Sequence, residues 1–299
     1  MPLTLPAIDR RRFLAGSLAA SLVAARLSAA EETVRNPQRF VLMADTHIPS
    51  SAEIAARGVN MHDNLVKVSQ AIIADRDRPA GVMLLGDCAY LKGQASDYAL
   101  LVKLLQPIRE AGLPLHVTLG NHDHRDRFWQ ALPPENGQSK FVDARHLMIV
   151  ESPRANWFLL DTLDVTDKAP GVIGAEQLAW LVKTLDKHAD KPALIAMHHN
   201  PDFKPMPGGL TDSKELFAAL APRKQVKALF FGHTHNWEVT ERDGMHLVNL
   251  PPVAYVFGAG KPNGFVELDL TETGAKLRLS ALDKDHAEHG KVVDLTWRT

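Results

Sequence analysis

The 299-residue sequence contains a single cysteine, Cys88, and this scarcity excludes several kinds of structure. One thiol cannot form an intramolecular disulfide, and it cannot build a cysteine-rich zinc site. Any metal site must therefore use histidine, aspartate, glutamate or asparagine. Net charge is also nearly absent, because 34 Lys and Arg residues against 35 Asp and Glu residues give −1. The chain lacks the global basic character typical of nucleic-acid-binding proteins, although this balance leaves room for a local basic patch.

Long apolar runs are absent except near the N-terminus. Three arginines and Phe13-Leu14 precede an alanine-rich run that continues to about Leu27 and ends in Ser28-Ala29-Ala30. A basic segment, a short apolar segment and a small-residue cleavage site make up a secretory signal. The paired arginines before Phe-Leu resemble a twin-arginine signal.

We therefore predict that residues 1–30 are a signal peptide read by the export machinery. Residues 31–299 are predicted to form one domain in the periplasm or outside the cell. Retention of the apolar run as a membrane anchor is the alternative, but the run is short and weakly apolar for a span of about 20 residues. No transmembrane span is predicted in the mature chain.

Strand-like and helix-like segments alternate over residues 39–231. Short apolar runs predict strands at Arg39–Ala44, Gly81–Leu85, Leu115–Leu119, Trp157–Leu160, Ala193–Met197 and Ala228–Phe231. Apolar residues three and four apart predict helices at Asp63–Asp75, Asp97–Ala111, Ala175–His188 and Ser213–Leu220. This alternation is typical of an α/β sheet.

From Trp237 onward the chain changes character. Short hairpin-like strands are predicted at Trp237–Arg242, Met245–Asn249, Gly264–Leu270, Lys276–Ala281 and Val292–Trp297. Two segments rich in Pro, Asn and Gly, Arg125–Asp143 and Asn200–Thr211, are predicted to be long loops. Loops of this length often cover or line functional sites.

Five polar clusters each follow a predicted strand. They are Asp45-Thr46-His47, Gly86-Asp87, Gly120-Asn121-His122-Asp123, His198-His199 and Gly232-His233-Thr234-His235. Ligands of open α/β sheets bind beyond the carboxyl ends of the strands, so loops distant in sequence can converge there. Carboxylates and neutral imidazoles suit divalent Zn, Mn, Fe or Co. A bridging carboxylate can hold two cations about 3.5–4 Å apart, as two-metal hydrolases require.

The ordered set D-x-H, G-D, G-N-H-D, H and G-H-x-H, running from Asp45 to His235, resembles the calcineurin-like metallophosphoesterase family. The resemblance implies a four-layer α/β/β/α sandwich with a dinuclear metal site at one edge of its sheets. The implied ligands of the first metal ion are Asp45, His47 and His235. Those of the second are Asn121, His198 and His233, and Asp87 bridges both ions.

The resemblance also implies how the site works. A hydroxide bridging the two ions would attack the phosphoester. His122 would protonate the leaving oxygen or stabilise the developing charge, and Asp123 would orient His122 through its other ring nitrogen. His124 and His199 are candidates for substrate contact, with a solvent-facing loop position favoured for His124 and a position behind the ligands favoured for His199.

A small phosphodiester is the predicted substrate, because the motif set resembles the cyclic-nucleotide and glycerophosphodiester branch of the family. A periplasmic phosphomonoesterase or nucleotidase is the alternative enzyme. A nuclease would need a basic groove that the charge balance does not indicate. A non-catalytic scaffold of the same fold is disfavoured, because all ligands and His122 are present.

Tyr90 offers a further comparison within the same fold. Gly86-Asp87-Cys88-Ala89-Tyr90 fits the G-D-x-x-Y pattern of purple acid phosphatases, in which the tyrosine binds ferric iron. Those enzymes lack the first-motif histidine, whereas this chain has His47 at that position. Tyr90 is therefore predicted to be a packing residue.

Overall fold

The computed structural model describes residues 3–5, 34–132, 142, 145–204, 206 and 208–299. The predicted signal peptide, residues 1–30, lies outside this range apart from Leu3–Leu5. The described strands are β1 (Leu3–Leu5), β2 (Asn36–Met43), β3 (Ala55–Ala56), β4 (Val59–Asn60), β5 (Pro79–Leu85), β6 (Leu115–Thr118), β7 (Met148–Glu151), β8 (Asn156–Leu159), β9 (Ala193–Ala196), β10 (Val226–Phe231), β11 (Glu238–Arg242), β12 (Met245–Asn249), β13 (Gly264–Leu270), β14 (Gly274–Ala281) and β15 (Val292–Thr296). The described helices are α1 (Met61–Ala74), α2 (Ala95–Glu110), α3 (Arg125–Ala131), α4 (Ala175–Lys187) and α5 (Ser213–Leu220).

Two mixed sheets contain most of these strands. The first has the order β1-β6-β5-β2-β13-β14-β15, with β2, β5 and β6 parallel and the other strands antiparallel to their neighbours. The second has the order β11-β12-β10-β9-β8-β7, with β12, β10, β9 and β8 parallel. Strands β3 and β4 pair only with each other.

Three apolar layers hold the sheets and helices together. Alternate residues of β2 show why, since Val41 and Met43 pack against α1 and α2 while Phe40 and Leu42 face the second sheet. Trp157 fills the space between the sheets, with its ring centroid 5.3 Å from that of Phe40. The far side of the second sheet packs on α4 and α5. This layering confirms the predicted α/β/β/α sandwich.

One loop prediction was wrong in part. The segment Arg125–Asp143 begins with helix α3, which buries Phe128 completely. The Phe128 ring meets the edge of the Tyr98 ring on α2 at 5.7 Å, a contact that no local sequence pattern reveals. Residues 133–141 of that segment lie outside the described range. Strand β7, which pairs with β8 at the sheet edge, was also not predicted.

The parallel strands place their carboxyl ends together. In the first sheet Met43 pairs with Leu84, and in the second Phe230 pairs with Ala196, so these strands end nearly in register. The polar clusters of the sequence all follow these strand ends. Within the described range, no helix has the length and apolar character needed to cross a membrane.

Candidate metal centre

The first group of predicted ligands meets where β2 and β10 end. Asp45 and His47 follow β2, and His235 follows β10. The Nε2 atoms of His47 and His235 lie 3.0 Å apart, and Asp45 Oδ1 lies 3.4 Å from His235 Nε2. Asp45 is completely buried and both histidines are at least 97% buried. These three side chains direct their ligand atoms at one point.

The second group forms beside it from β6, β9 and β10. Asn121 Oδ1 lies 3.2 Å from His198 Nε2 and 2.9 Å from His233 Nδ1. The three residues belong to different loops, and the Asn121 oxygen is their common centre. The structure therefore brings together all three residues predicted for the second metal ion.

Asp87 lies between the two groups. Its Oδ1 is 3.3 Å from His198 Nε2, and its Oδ2 is 3.6 Å from His47 Nε2. One carboxylate oxygen therefore faces each group, which is the geometry that a bridging ligand requires.

Backbone strain is concentrated in these residues. Among the described residues other than glycine, nine have positive φ angles, and five of these are predicted ligands, namely Asp45 (55°), His47 (45°), Asp87 (47°), His233 (71°) and His235 (54°). This left-handed conformation is unfavourable for residues with a Cβ, and such strain clusters at functional sites. In a strand, successive side chains point to opposite faces of the sheet. The turns at these positions direct the side chains toward the centre instead.

Backbone contacts of the histidines orient their free nitrogens toward the centre. His198 Nδ1 lies 2.9 Å from the Leu85 carbonyl oxygen, and His235 Nδ1 also contacts a carbonyl, that of Tyr255. His233 uses the opposite nitrogen, since its Nε2 lies 2.9 Å from the Gly208 carbonyl oxygen. A carbonyl only accepts hydrogen bonds, so it places the proton on the outer nitrogen and leaves the inner one free to bind a metal.

The donor set fits divalent transition metal ions. Two inward-facing imidazole nitrogens 3.0 Å apart, as in His47 and His235, need a proton or cation between them. Nitrogen and oxygen donors without thiolate suit Zn, Mn, Fe or Co, as the sequence predicted. His47 and Asp87 also form a group with His122, so the catalytic candidate stands beside the ligands.

Opposite charges shift the pKa values of these buried groups. Burial alone would raise the pKa of Asp87, but His198 and His47 hold it well below its usual range. Burial alone would lower the pKa of His198, but Asp87 and Asp45 raise it to about 9. Burial lowers the pKa of His47 to about 3. Without a bound cation, both ring nitrogens of His198 are therefore protonated at neutral pH and the ring is positively charged. His47 is already in its neutral form, which can bind a metal ion.

The role predicted for Asp123 was wrong in its geometry. Its buried carboxylate accepts hydrogen bonds from the Cys88, Ala89 and Gly120 amides and from the Tyr98 hydroxyl. Burial and the nearby Asp87 raise the pKa of Asp123 to about 6. Asp123 therefore shapes the loops that carry Asp87 and Asn121.

His122 is oriented by other groups. Its Nδ1 lies 2.6 Å from the Leu91 carbonyl oxygen and 3.6 Å from Asp167 Oδ1. Leu91 and Asp167 both have positive φ angles, of 53° and 64°. A strained backbone therefore holds the proton of His122 on Nδ1. The signal for these partners is absent from the motif, because one is a backbone atom and the other lies 45 residues further along the chain.

The two substrate-contact candidates occupy different positions. His199 is completely buried, and its Nδ1 lies 2.7 Å from the Thr162 hydroxyl, so it has no exposed face to offer a substrate. The position behind the ligands that the sequence favoured for His199 is therefore observed, with its ring against those of His198 and His233, and the alternative of substrate contact is corrected. His124 is half-buried and lines an open cavity beside His122.

Tyr90 packs against the core on the α1–α2 side, as predicted.

Known proteins share both the sequence pattern and the fold. Residues 38–237 match the family described as calcineurin-like phosphoesterase. A 3′,5′-cyclic adenosine monophosphate phosphodiesterase, CpdA, of Pseudomonas aeruginosa is 25% identical over 226 residues, which cover 74% of this chain and 78% of the relative. A probable glycerophosphodiester phosphodiesterase, GpdQ, of Arcobacter nitrofigilis is 28% identical over 209 residues, covering 67% and 72%.

Solved structures extend the likeness of fold. A dimetal phosphatase from Danio rerio superposes with a TM-score of 0.67 at 16% identity, covering 87% of this chain and 99% of that one. The purple acid phosphatase PPD1 of yellow lupin gives 0.62 at 16% identity, covering 87% and 53%. The family match covers most of the chain and includes every cluster described above. The chain therefore belongs to the calcineurin-like phosphoesterase family, and it is a hydrolase that acts on phosphoesters.

Proposed function

We propose that this protein is a phosphodiesterase with a dinuclear metal centre. The observation that carries the proposal is the position of Asp87, whose two oxygens face two separate ligand groups. Two adjacent cations suit an anionic phosphoester, because they neutralise its oxygens while the nucleophile approaches. This paired arrangement supports two as the number of ions bound.

Diester preference is supported by the relatives. The P. aeruginosa and A. nitrofigilis proteins are named for cyclic AMP and for glycerophosphodiesters, and both of these are phosphodiesters. Both relatives cover two thirds or more of this chain. A small phosphodiester is therefore the proposed substrate class, with a phosphomonoester as the alternative that the assay below distinguishes.

The residues of the chain divide the work. One ion would be held by Asp45, His47 and His235. The other would be held by Asn121, His198 and His233, and both ions would be bound by Asp87. Bound ions would supply an activated water and neutralise charge on the phosphoryl oxygens. His122 keeps its proton on Nδ1 through the Leu91 carbonyl, so its other nitrogen is the one that can meet the leaving oxygen. Protonated there, His122 hands over a proton as the ester bond breaks.

Hydrolysis of two chromogenic esters tests this proposal. Protein loaded with Mn²⁺ or Zn²⁺ should contain about two ions and should hydrolyse bis-p-nitrophenyl phosphate faster than p-nitrophenyl phosphate. His122→Ala should lower kcat on the diester by roughly 10²–10⁴-fold while metal content stays unchanged. His188→Ala, at the end of α4, is the matched control and should be unaffected. Metal-loaded protein that is inactive on both esters would overturn the proposal, and a monoester preference would replace its substrate class.

We also propose export to the periplasm or beyond, on the signal-like character of residues 1–30. Fused to a reporter that is active only after export, these residues should direct it out of the cytoplasm. Replacing Arg11 and Arg12 together with lysine should block export through a twin-arginine route. A reporter that stays cytoplasmic with the native residues would contradict the proposal.

A further inference from the structure

Two aromatic residues in the segment after β12 stack on the two histidines of the first group of predicted ligands. The Tyr255 ring centroid lies 5.3 Å from that of His47 at an interplanar angle of 23°. The Phe257 ring centroid lies 4.2 Å from that of His235 at an interplanar angle of 19°. Tyr255 also holds His235 through its backbone carbonyl, which contacts His235 Nδ1. One short segment therefore contacts both histidines of the first group.

The same segment is fixed to the backbone that carries Asp45. The Val253 and Ala254 amides donate hydrogen bonds to the Ala44 and Asp45 carbonyl oxygens, at 2.9 and 3.0 Å. The side-chain amide of Asn64 on α1 donates to the Val253 and Ala254 carbonyl oxygens, at 2.9 and 3.0 Å. The backbone that places the third ligand of the group therefore also supports the two aromatic residues.

Phe257 stands at the boundary between His235 and solvent. The Phe257 residue is 55% exposed, whereas His235 is only 3% exposed. A nearly parallel ring at 4.2 Å leaves no room for water on that face of His235. Arg57, in the turn between β3 and β4, lies over both aromatic rings, with Cζ 4.9 Å from the Phe257 centroid and 5.7 Å from the Tyr255 centroid. This cation–π contact helps to keep an exposed aromatic side chain in one position.

The second group of predicted ligands has different ring contacts. The His198 and His233 rings contact each other and the His199 ring, at centroid distances of 5.2, 5.0 and 4.8 Å. Among the described residues, no tyrosine or phenylalanine ring contacts His198 or His233. A change at Phe257 therefore acts on the first group and leaves the ligands of the second in place.

We infer that Phe257 is a positioning residue for the first metal ion, because it holds the plane of the His235 ring and keeps water from one of its faces. The inference rests on the metal centre of the proposed function, in which His235 binds that ion. An ion bound at Nε2 draws electrons from the imidazole ring and makes it more positive, whereas the face of a benzene ring is negative. The stack is therefore stronger when the ion is bound, and this difference adds to the affinity for the ion.

Leucine and tyrosine at position 257 test the inference. Phe257→Leu keeps an apolar side chain but removes the aromatic face. Phe257→Tyr is the matched control, because it keeps the face and can place its hydroxyl in solvent. In calorimetric titrations with Zn²⁺, Phe257→Leu should bind one of two ions roughly 3- to 10-fold more weakly, as expected for the loss of an aromatic pair. The other site should keep its affinity, and Phe257→Tyr should match the wild type at both sites.

Proton NMR of the metal-free protein tests the contact itself. A benzene ring stacked on an imidazole shields the carbon-bound protons of that imidazole. The His235 signals should therefore move downfield in Phe257→Leu and stay near their wild-type positions in Phe257→Tyr. His235→Gln identifies these signals by their absence. Signals of His235 that do not move in Phe257→Leu would overturn the inference.

Metal affinity and ester hydrolysis separate this inference from the proposed function. If the Zn²⁺-loaded wild type hydrolyses neither chromogenic ester but one of its two sites depends on Phe257 as described, the proposed activity fails and the inference stands. If the diester is hydrolysed but Phe257→Leu binds both ions with wild-type affinity, the inference is overturned and the proposed activity stands. A Phe257→Tyr variant that binds as weakly as Phe257→Leu would also overturn the inference, because the aromatic face would then not support the ion.

Discussion

Alanine at Gly232 should weaken metal binding next to Asp45 while the protein remains folded. A Cβ at this position would stand 2.7 Å from the Cβ of Ala44 and closer still to the Asp45 carboxylate. Ordinary carbon contacts need about 3.5–4.0 Å, so one of these groups must move by about 1 Å. The Cβ of Ala44 is fixed to the backbone whereas the Asp45 carboxylate can rotate about its side-chain bonds, so the Asp45 side chain is the part that yields.

The magnitude follows from the cost of overpacking. Extra methyl groups in packed sites typically cost about 1–3 kcal/mol. If displacement of Asp45 carries that cost, the affinity for the first metal ion falls roughly 5- to 150-fold. The loss is small against the 5–15 kcal/mol that is typical of a whole domain, so thermal unfolding should still be cooperative.

Metal titration with a matched variant checks this reasoning. Gly258→Ala is the control, because a Cβ there meets nothing closer than Lys261 Cγ at 3.5 Å. Calorimetric titration with Mn²⁺ should show one weakened site in Gly232→Ala and two normal sites in Gly258→Ala. Wild-type affinity at both sites of Gly232→Ala would show that Asp45 is not a ligand in the position described.

Three further predictions concern protonation and packing. Cation binding at pH 7 should release about one proton, because the pKa of His198 is about 9 before a cation binds, and this release should vanish above about pH 10. Calorimetry in two buffers of different ionisation enthalpy measures the number of protons released. No release at pH 7 would contradict the raised pKa of His198. Tyr98→Phe should lower the free energy of unfolding by about 1–3 kcal/mol in urea titrations, since the Tyr98 hydroxyl donates to Asp123 at 3.0 Å and accepts from the His124 amide at 2.7 Å. An unchanged unfolding midpoint would show that these two hydrogen bonds do not stabilise the fold. Trp157→Ala should cost about 3–5 kcal/mol in the same assay because its ring is fully buried between the sheets, and a loss below about 1 kcal/mol would indicate looser packing than described.

Elements with strong local signals could be predicted to the residue. Ser213–Leu220, Met245–Asn249 and Gly264–Leu270 have the same bounds in the structure as in the sequence prediction. The turn before Met245 shows the reason, because Asp243 and Gly244 have φ angles of 53° and 73°, as a tight hairpin turn requires. Strand β7 lacked such a signal, because its four residues, Met148–Glu151, are three apolar residues and a glutamate and show no alternation of apolar and polar positions.

The candidate site also has parts that the sequence predicts and parts that it does not. The predicted metal ligands meet in two groups, because residue type and order along the chain constrain them strongly. The orientation of His122 could not be predicted, because it depends on a strained carbonyl at Leu91 and on Asp167 in another loop. A motif records which side chains are present, whereas such support depends on how the loops fold back on each other.

The two ligand groups have a mechanical consequence for the fold. Each takes side chains from both sheets, since Asp45, His47 and Asn121 extend from the first and His198, His233 and His235 from the second. A cation in either group would cross-link the two sheets. It would join segments as far apart in sequence as His47 and His235, which are separated by 188 positions. Such a cation binds only the folded chain and so stabilises it, much as a long-range cross-link does. Occupancy of the centre and folding of the chain are therefore linked equilibria.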